Sequence, residues 1–251
     1  MLKVGIVGGG SMGQWLKKEI SKKHKVLIYD SDKRKSDTSS LNELSKFSDV
    51  LIVAVPFWIT AKVLHQIIPY AENKLVMDIS TFKEGLIDVY KKYPKKSKIA
   101  TIHPMFGPGA KTIKKQKILV MKIPNRDGLD DAIKFWKNLG ARVYIVDLKK
   151  HDYYISYTIA LSYAIGLALA RIYEDLGKDV FKYGGTSFRW LVTYSSSLLL
   201  DKNSRFYAEK APLDKFIRAL KKKSIPKPLI NPKIAYQKFY KVLSNLDYRD
   251  V

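Results

Sequence analysis

Two short stretches of this 251-residue chain carry residue types at spacings that suit chemistry. The first is Gly8-Gly9-Gly10-Ser11-Met12-Gly13, a Gly-x-Gly-x-x-Gly turn entered directly from the apolar run 2–8. Gly8 permits the tight turn, Gly10 lets a pyrophosphate approach the backbone, and Gly13 lets the following helix sit close to the strand. The amides of Ser11 and Met12 then open that helix, where an anion is stabilised. Asp30 ends the next apolar run, 25–29, and stands twenty residues beyond Gly10. A carboxylate there accepts hydrogen bonds from ribose hydroxyls and repels a 2′-phosphate. NAD is therefore expected, while Lys33, Arg34 and Lys35 keep NADP open. The second stretch is Thr101-Ile102-His103-Pro104-Met105-Phe106-Gly107-Pro108-Gly109. Its histidine leaves the carboxyl end of a strand, the edge at which open α/β sheets bind ligands. Histidine is the side chain best placed for proton transfer near neutral pH.

The elements that must position these groups alternate along the first part of the chain. Strands are expected at 2–8, 25–29, 50–55, 75–79, 99–103, 118–123 and 143–146. Helices are expected from about Ser11, then at 58–70, 84–93 and 130–139, with the polar segment 31–40 as a loop. Such alternation predicts a mostly parallel, Rossmann-type sheet covered on both faces. Val55 and Pro56 end the strand whose following loop lies beside the nicotinamide ribose in such folds. Near Lys149 the pattern changes to all-helical, with segments at 152–176, 188–200, 212–220 and 235–246. The expected division is 1–148, a dinucleotide-binding domain, and 149–251, a helical domain for substrate and dimer contacts. The segment 152–176 is apolar around most of its circumference, so burial in a core or against a second copy is expected.

Composition bounds the partners. With 46% hydrophobic residues the chain can build a core, and with no cysteine it has neither disulfide nor thiolate chemistry. No metal site is expected. Forty-six Lys+Arg against 23 Asp+Glu give a formal charge of +23. The excess lies in scattered lysine pairs and triples, such as Lys17-Lys18, Lys95-Lys96 and Lys221-Lys222-Lys223, so nucleic acid is not the expected partner. Such a field favours a small anionic substrate and an anionic cofactor. No apolar run reaches the ~18 uncharged residues of a membrane span, and no leader precedes the first strand, so a cytoplasmic protein is expected.

His103-Pro104-Met105-Phe106-Gly107-Pro108 resembles the signature of the prephenate and arogenate dehydrogenases of tyrosine biosynthesis. Asp78-Ile79-Ser80-Thr81-Phe82-Lys83 is similar to the family's Asp-x-x-Ser-x-Lys segment, and Leu139-Gly140-Ala141-Arg142-Val143 with His151-Asp152 to its entry into the helical domain. The likeness covers about residues 1–163. It implies an NAD-dependent oxidative decarboxylation of prephenate to 4-hydroxyphenylpyruvate, or of arogenate to tyrosine. His103 would accept the hydrogen bond of the ring 4-hydroxyl. Thr81 or Ser80 would orient that hydroxyl, and Lys83 would be either a substrate cation or a solvated lysine. His151 is expected to cap or orient the helix between the domains.

The chain also departs from the family pattern. Ser162 and Tyr163 stand where the family carries His or Arg-His, and no cation stands near Ser197, where the ring carboxylate is gripped. Arg189 and Arg205 are the nearest candidates to replace it. Two other readings stay open on the sequence alone. One is another two-domain NAD(P)-dependent reductase or hydroxyacid dehydrogenase; the other is a dinucleotide-sensing or nucleic-acid-binding protein without catalysis.

Overall fold

The computed structural model describes residues 1–94 and 96–243, and the chain divides into two compact units, Met1–Tyr153 and the residues from Tyr154 onward. In the first unit β1 (Lys3–Val7), β2 (Lys25–Tyr29), β3 (Val50–Val53), β4 (Leu75–Asp78), β5 (Lys98–Pro104), β6 (Lys117–Lys122) and β7 (Arg142–Ile145) form one sheet. The order is β2-β1-β3-β4-β5-β6-β7. All neighbours are parallel except β5 and β6, which are antiparallel. Around the sheet lie α1 (Ser11–Ile20), α2 (Leu41–Phe47), α3 (Phe57–Ile67), α4 (Leu86–Lys91), α5 (Leu129–Asn138) and α6 (Leu148–Ile155).

Both faces are covered, and β3 shows how the sequence arranges it. Its four residues, Val-Leu-Ile-Val, are all buried. Val50 and Ile52 join one core with Leu16, Ile20 and Trp136, while Leu51 and Val53 join the other with Leu64 and Tyr90. Each such side chain contributes about 1.5–3 kcal/mol of hydrophobic burial. Register then sets the functional edge. Val7 pairs with Val53, Val53 with Asp78, and Asp78 with Thr101. The glycine turn, Val55-Pro56, Ser80-Thr81 and His103 therefore emerge along one carboxyl edge. β1 lies between β2 and β3, so the chain switches direction at the glycine turn, where such sheets form their ligand crevice.

Two details around the segment expected as a loop differ. The segment 31–40 contains a short 3-10 turn, Lys33–Lys35, and α2 follows it unforeseen. Its signal was readable: the Ser40 hydroxyl accepts the Glu43 amide at 3.1 Å, and the Glu43 carboxylate accepts the Ser39 amide at 2.7 Å. This is a Ser-x-x-Glu capping arrangement displaced by one residue on its return bond.

The division between units falls inside α6, five residues beyond the expected 148. The second unit continues through a π-helical stretch, Ser156–Ala160, into α7 (Leu161–Leu176), followed by α8 (Thr186–Leu198), α9 (Ser204–Ala208), α10 (Leu213–Leu220) and α11 (Pro232–Leu243). The last expected helix, 235–246, is observed as α11 as far as Leu243; residues 244–246 lie outside the described ones. α7 packs on α8 where Gly166 faces Leu198 and Tyr194. The expectation that nothing here is long and apolar enough to span a membrane is corrected. Leu148–Leu176 runs 29 residues as continuous helix and meets that test by length and composition alone. Its polar interruptions are muted, because Thr158 and Ser162 return their hydroxyls to the carbonyls of Tyr154 and Thr158. Within the chain itself α7 buries only Gly166.

The closest backbone approach in the first unit lies beneath the glycine turn. A Cβ on Gly13 would sit 1.9 Å from the Gly8 carbonyl oxygen, a backbone atom that cannot step aside. Gly13→Ala is expected to cost about 1–3 kcal/mol by overpacking. A lowered midpoint in denaturant unfolding checks it, and an unchanged midpoint contradicts this packing.

Candidate active site

The cofactor turn is built as the motif requires. Gly8 has φ +112°, and a Cβ there would lie 2.4 Å from the Ala54 carbonyl and 3.0 Å from Val55 Cγ1. Gly10, by contrast, has open space where a Cβ would be. It caps α1 without any side-chain hydrogen bond, and the first intrahelical bond runs from the Gln14 amide to the Gly10 carbonyl. The amides of Ser11, Met12 and Gly13 therefore point out of the helix end unclaimed, an arrangement that binds phosphate. Asp30 is held against the turn: one carboxylate oxygen accepts the Gly9 amide at 2.6 Å, the other the Asp32 amide at 2.8 Å. Its remaining lone pairs can accept ribose hydroxyls. Arg34 and Lys35 are committed to Asp32, at 2.9 Å and 3.4 Å, and the Arg34 hydrogen bonds bring the Asp32 carboxyl down to about 2. Pro56 caps α3, its carbonyl accepting from the Ile59 amide and the Thr60 hydroxyl. The cradle fits a dinucleotide.

His103 lies buried at the end of β5. Its Nδ1 is 3.0 Å from Nε2 of His151, whose Nδ1 is 2.7 Å from Oδ1 of Asp152. The Asp152 carboxylate also accepts the Lys83 amide through both oxygens at 2.9 Å. An ionised carboxylate only accepts, so His151 presents Nδ1–H to it. With His151 neutral, its Nε2 accepts from His103 Nδ1–H. His103 is left with a lone pair on Nε2, which no described residue engages. A proton taken up by His151 reverses this chain and turns that lone pair into an N–H. Burial, then the Lys83 ammonium and His151, hold the His103 imidazole well below the usual histidine range.

Beneath this chain lies a fully buried ion pair. Lys83 Nζ is 2.8 Å from Oδ1 of Asp78, with 3% and 0% of the two residues exposed, and it also donates to the Ile102 carbonyl at 2.6 Å. The hydroxyls of Tyr90 and Thr101 donate to the other Asp78 oxygen, and the Ser80 amide to Oδ1 at 2.9 Å. Burial lowers the Lys83 ammonium's affinity for its proton, with Asp78 and Asp152 opposing.

Several expectations change here. Lys83 is neither solvated nor turned to a ligand: its ammonium is spent on Asp78 and Ile102, because a cation this deeply buried must be paired. His151 does not merely cap a helix but holds His103. Ser80 donates to the Thr60 hydroxyl at 2.8 Å, whereas the Thr81 hydroxyl has no hydrogen bond to any described residue. That distinguishes the two hydroxyls left open by the sequence. In the second unit, Arg189 is exposed on α8, and Arg205, on α9, pairs with Glu209 at 3.3 Å. Tyr163 donates to Asp201 at 3.1 Å, and Ser197 to its own helix.

Comparison with known proteins gives this geometry a family context. The model of the family described as "Prephenate dehydrogenase, nucleotide-binding domain" matches residues 13–145, just over half of the chain. A Methanocaldococcus jannaschii protein named as a probable arogenate/prephenate dehydrogenase is 26% identical over 196 residues, covering 71% of this chain and 44% of its own length. Arogenate dehydrogenase 1 of Arabidopsis thaliana is 27% identical over 221 residues, covering 74% of this chain and 34% of its own. The chain thus spans less than half the length of either curated relative. Among solved structures, prephenate dehydrogenase of Aquifex aeolicus, bound to hydroxyphenyl propionate and NAD+, is similar in fold with a TM-score of 0.68 at 21% identity, covering 88% of both chains.

The buried imidazole has a consequence for stability. An unfolded His103 takes up a proton near its ordinary pKa of about 6.5, the folded one only at lower pH. The unfolded state then binds more protons in that window, so stability falls as pH drops below about 6.5. Urea unfolding at about pH 7.5 and about pH 5.5 should show a smaller loss for His103→Asn than for the unaltered protein. Equal losses contradict the buried neutral imidazole.

Proposed function

The chain belongs to the prephenate dehydrogenase family, and on that premise we propose that it oxidises prephenate or arogenate with NAD, releasing carbon dioxide. The observation that carries the reading is the Asp152–His151–His103 chain at the same sheet edge as the glycine cradle. The ligands of the Aquifex aeolicus relative, NAD+ and a hydroxyphenyl propionate, support the same cofactor and a ring-bearing anion.

The Ser11 and Met12 amides and Asp30 would hold NAD, which would supply the acceptor for the hydride from the ring carbon bearing the 4-hydroxyl. His103 Nε2 accepts the hydroxyl proton as that oxygen becomes a carbonyl. The ring carboxylate departs as carbon dioxide, its bonding electrons complete the aromatic ring, and the oxygen takes its proton back from His103 to leave a phenol. Asp152 and His151 keep the His103 lone pair aimed outward, and the Thr81 hydroxyl is the free group that orients the substrate oxygen. Arg189 and Arg205 remain the candidate partners of the carboxylate, Arg205 at the cost of its Glu209 contact.

We also propose a cytoplasmic homodimer in which a second copy covers the apolar surface of the second unit. Ile172, Leu176, Leu213, Ile217 and Leu220 are each about half exposed or more. Light scattering should return the mass of two chains, and a monomer, or recovery with membranes, would contradict this.

NADH formation with prephenate and with arogenate tests the activity. His103→Asn should lower kcat by roughly 10²-fold or more while NAD affinity holds, since the phosphate and ribose contacts lie elsewhere. Near-normal turnover in the folded variant would falsify the role of His103. The acid limb of kcat belongs to His103, whose hold on a proton burial weakens, and should be absent in that variant. Asp30→Ala should narrow the preference for NAD over NADP, read by calorimetric titration; tighter NADP binding by the unaltered protein contradicts it.

A further inference from the structure

The loop that follows His103 is docked on the helix that opens the cofactor cradle. Trp15 and Glu19 lie four residues apart on α1 and so share one face of it. The Trp15 indole N–H donates to the Ala110 carbonyl at 2.7 Å, and its ring lies 5.2 Å from that of Phe106. Glu19, only 2% exposed, accepts the Thr112 hydroxyl at 3.0 Å and the Ile113 amide at 2.9 Å through one oxygen, and pairs with Lys22 through the other. Burial alone would raise its carboxyl, but the hydrogen bonds from Lys22, Ile113 and Thr112 outweigh that and keep it ionised. The loop has little else to hold it. A Cβ on Gly107 or Gly109 would meet nothing within 4 Å. Among the described residues, Trp15 makes the one hydrogen bond tying 106–111 to another element. The next anchor towards the histidine is the Met105 amide on the Lys117 carbonyl at 2.9 Å.

We propose that Trp15 and Glu19 are positioning residues, which set the loop 105–113, and with it the rim of the His103 site, against the helix whose N-terminus receives the phosphates of the cofactor. The inference rests on the activity proposed above. The glycine turn is held independently, by the Gly8–Gly13 packing and by Asp30. Loosening the loop therefore displaces the substrate side of the site and leaves the phosphate side in place. Misplacing reacting groups by about an ångström can cost on the order of 10²-fold in rate.

Three variants test it. Trp15→Phe keeps the ring contact and loses the N–H; Glu19→Ala removes the acceptor; Glu19→Gln retains an oxygen for the Ile113 amide. Trp15→Phe and Glu19→Ala should lower kcat by roughly 10-fold to 100-fold, with NAD affinity changed less than about twofold, while Glu19→Gln recovers most of the rate. Amide exchange across 105–113 should quicken in the first two variants and stay near the unaltered rate in the third. Unchanged kcat in Trp15→Phe overturns the proposal. So does a parallel fall of kcat, NAD affinity and melting temperature in that variant, which marks plain destabilisation. If the unaltered protein turns over neither substrate, the activity reading fails by itself. Amide exchange then decides the clamp: faster exchange at 105–113 in Trp15→Phe upholds it, and unaltered exchange overturns it.

Discussion

The buried pair of Asp78 and Lys83 is the constraint on which the site depends. Two charges at the end of β4 and in the segment after it are withdrawn from water, and Tyr90, Thr101, Ser80 and the Ile102 carbonyl hydrogen-bond to them. Such a pair contributes little net stability compared with apolar packing, but removing one partner strands a buried charge and costs about 3–5 kcal/mol. Its value here is geometric. Lys83 ties β4 to β5 through its side chain and presents its own amide to Asp152. Asp152 in turn fixes His151, and His151 fixes His103. The ammonium that organises the chain also lowers the proton affinity of the imidazole at its end.

That coupling gives the histidine its chemical character. A free imidazole near neutral pH is partly protonated and exchanges tautomers; His103 is buried, neutral and anchored at Nδ1. Its open nitrogen is therefore Nε2, and that nitrogen bears a lone pair when His151 is neutral. The hydrogen-bonding state of His103 is accordingly a property of three residues, Asp152, His151 and His103, rather than of one.

Much of this was legible in the sequence where local chemistry decides structure. The glycine spacing, Asp30 at the end of β2 and the Pro- and Gly-flanked His103 each carry their own geometric demand, and the sheet follows from the alternation of apolar runs. The Ser40–Glu43 cap shows that α2 was readable as well. The partners of His103 were not. His151 stands 48 residues away, and nothing in its neighbours tells a helix cap from a ring pointed at another imidazole. Lys83 was obscured by composition: among so many surface lysines, one buried lysine has no local mark. The long apolar helix was legible as apolar, but the π-helical turn within it and its exposure within a single chain were not.

One nitrogen, Nε2 of His103, decides whether the site can accept a proton. With the histidines labelled in 15N, NMR at about pH 8, above the ordinary histidine range, distinguishes a protonated ring nitrogen from one bearing a lone pair. His103→Asn and His151→Asn spectra assign the signals. The Asp152–His151–His103 chain predicts that His103 is the Nδ1–H tautomer, with Nε2 unprotonated. Finding the proton on Nε2 would mean that His103 offers a donor where the chemistry needs an acceptor, and would contradict the account at its centre.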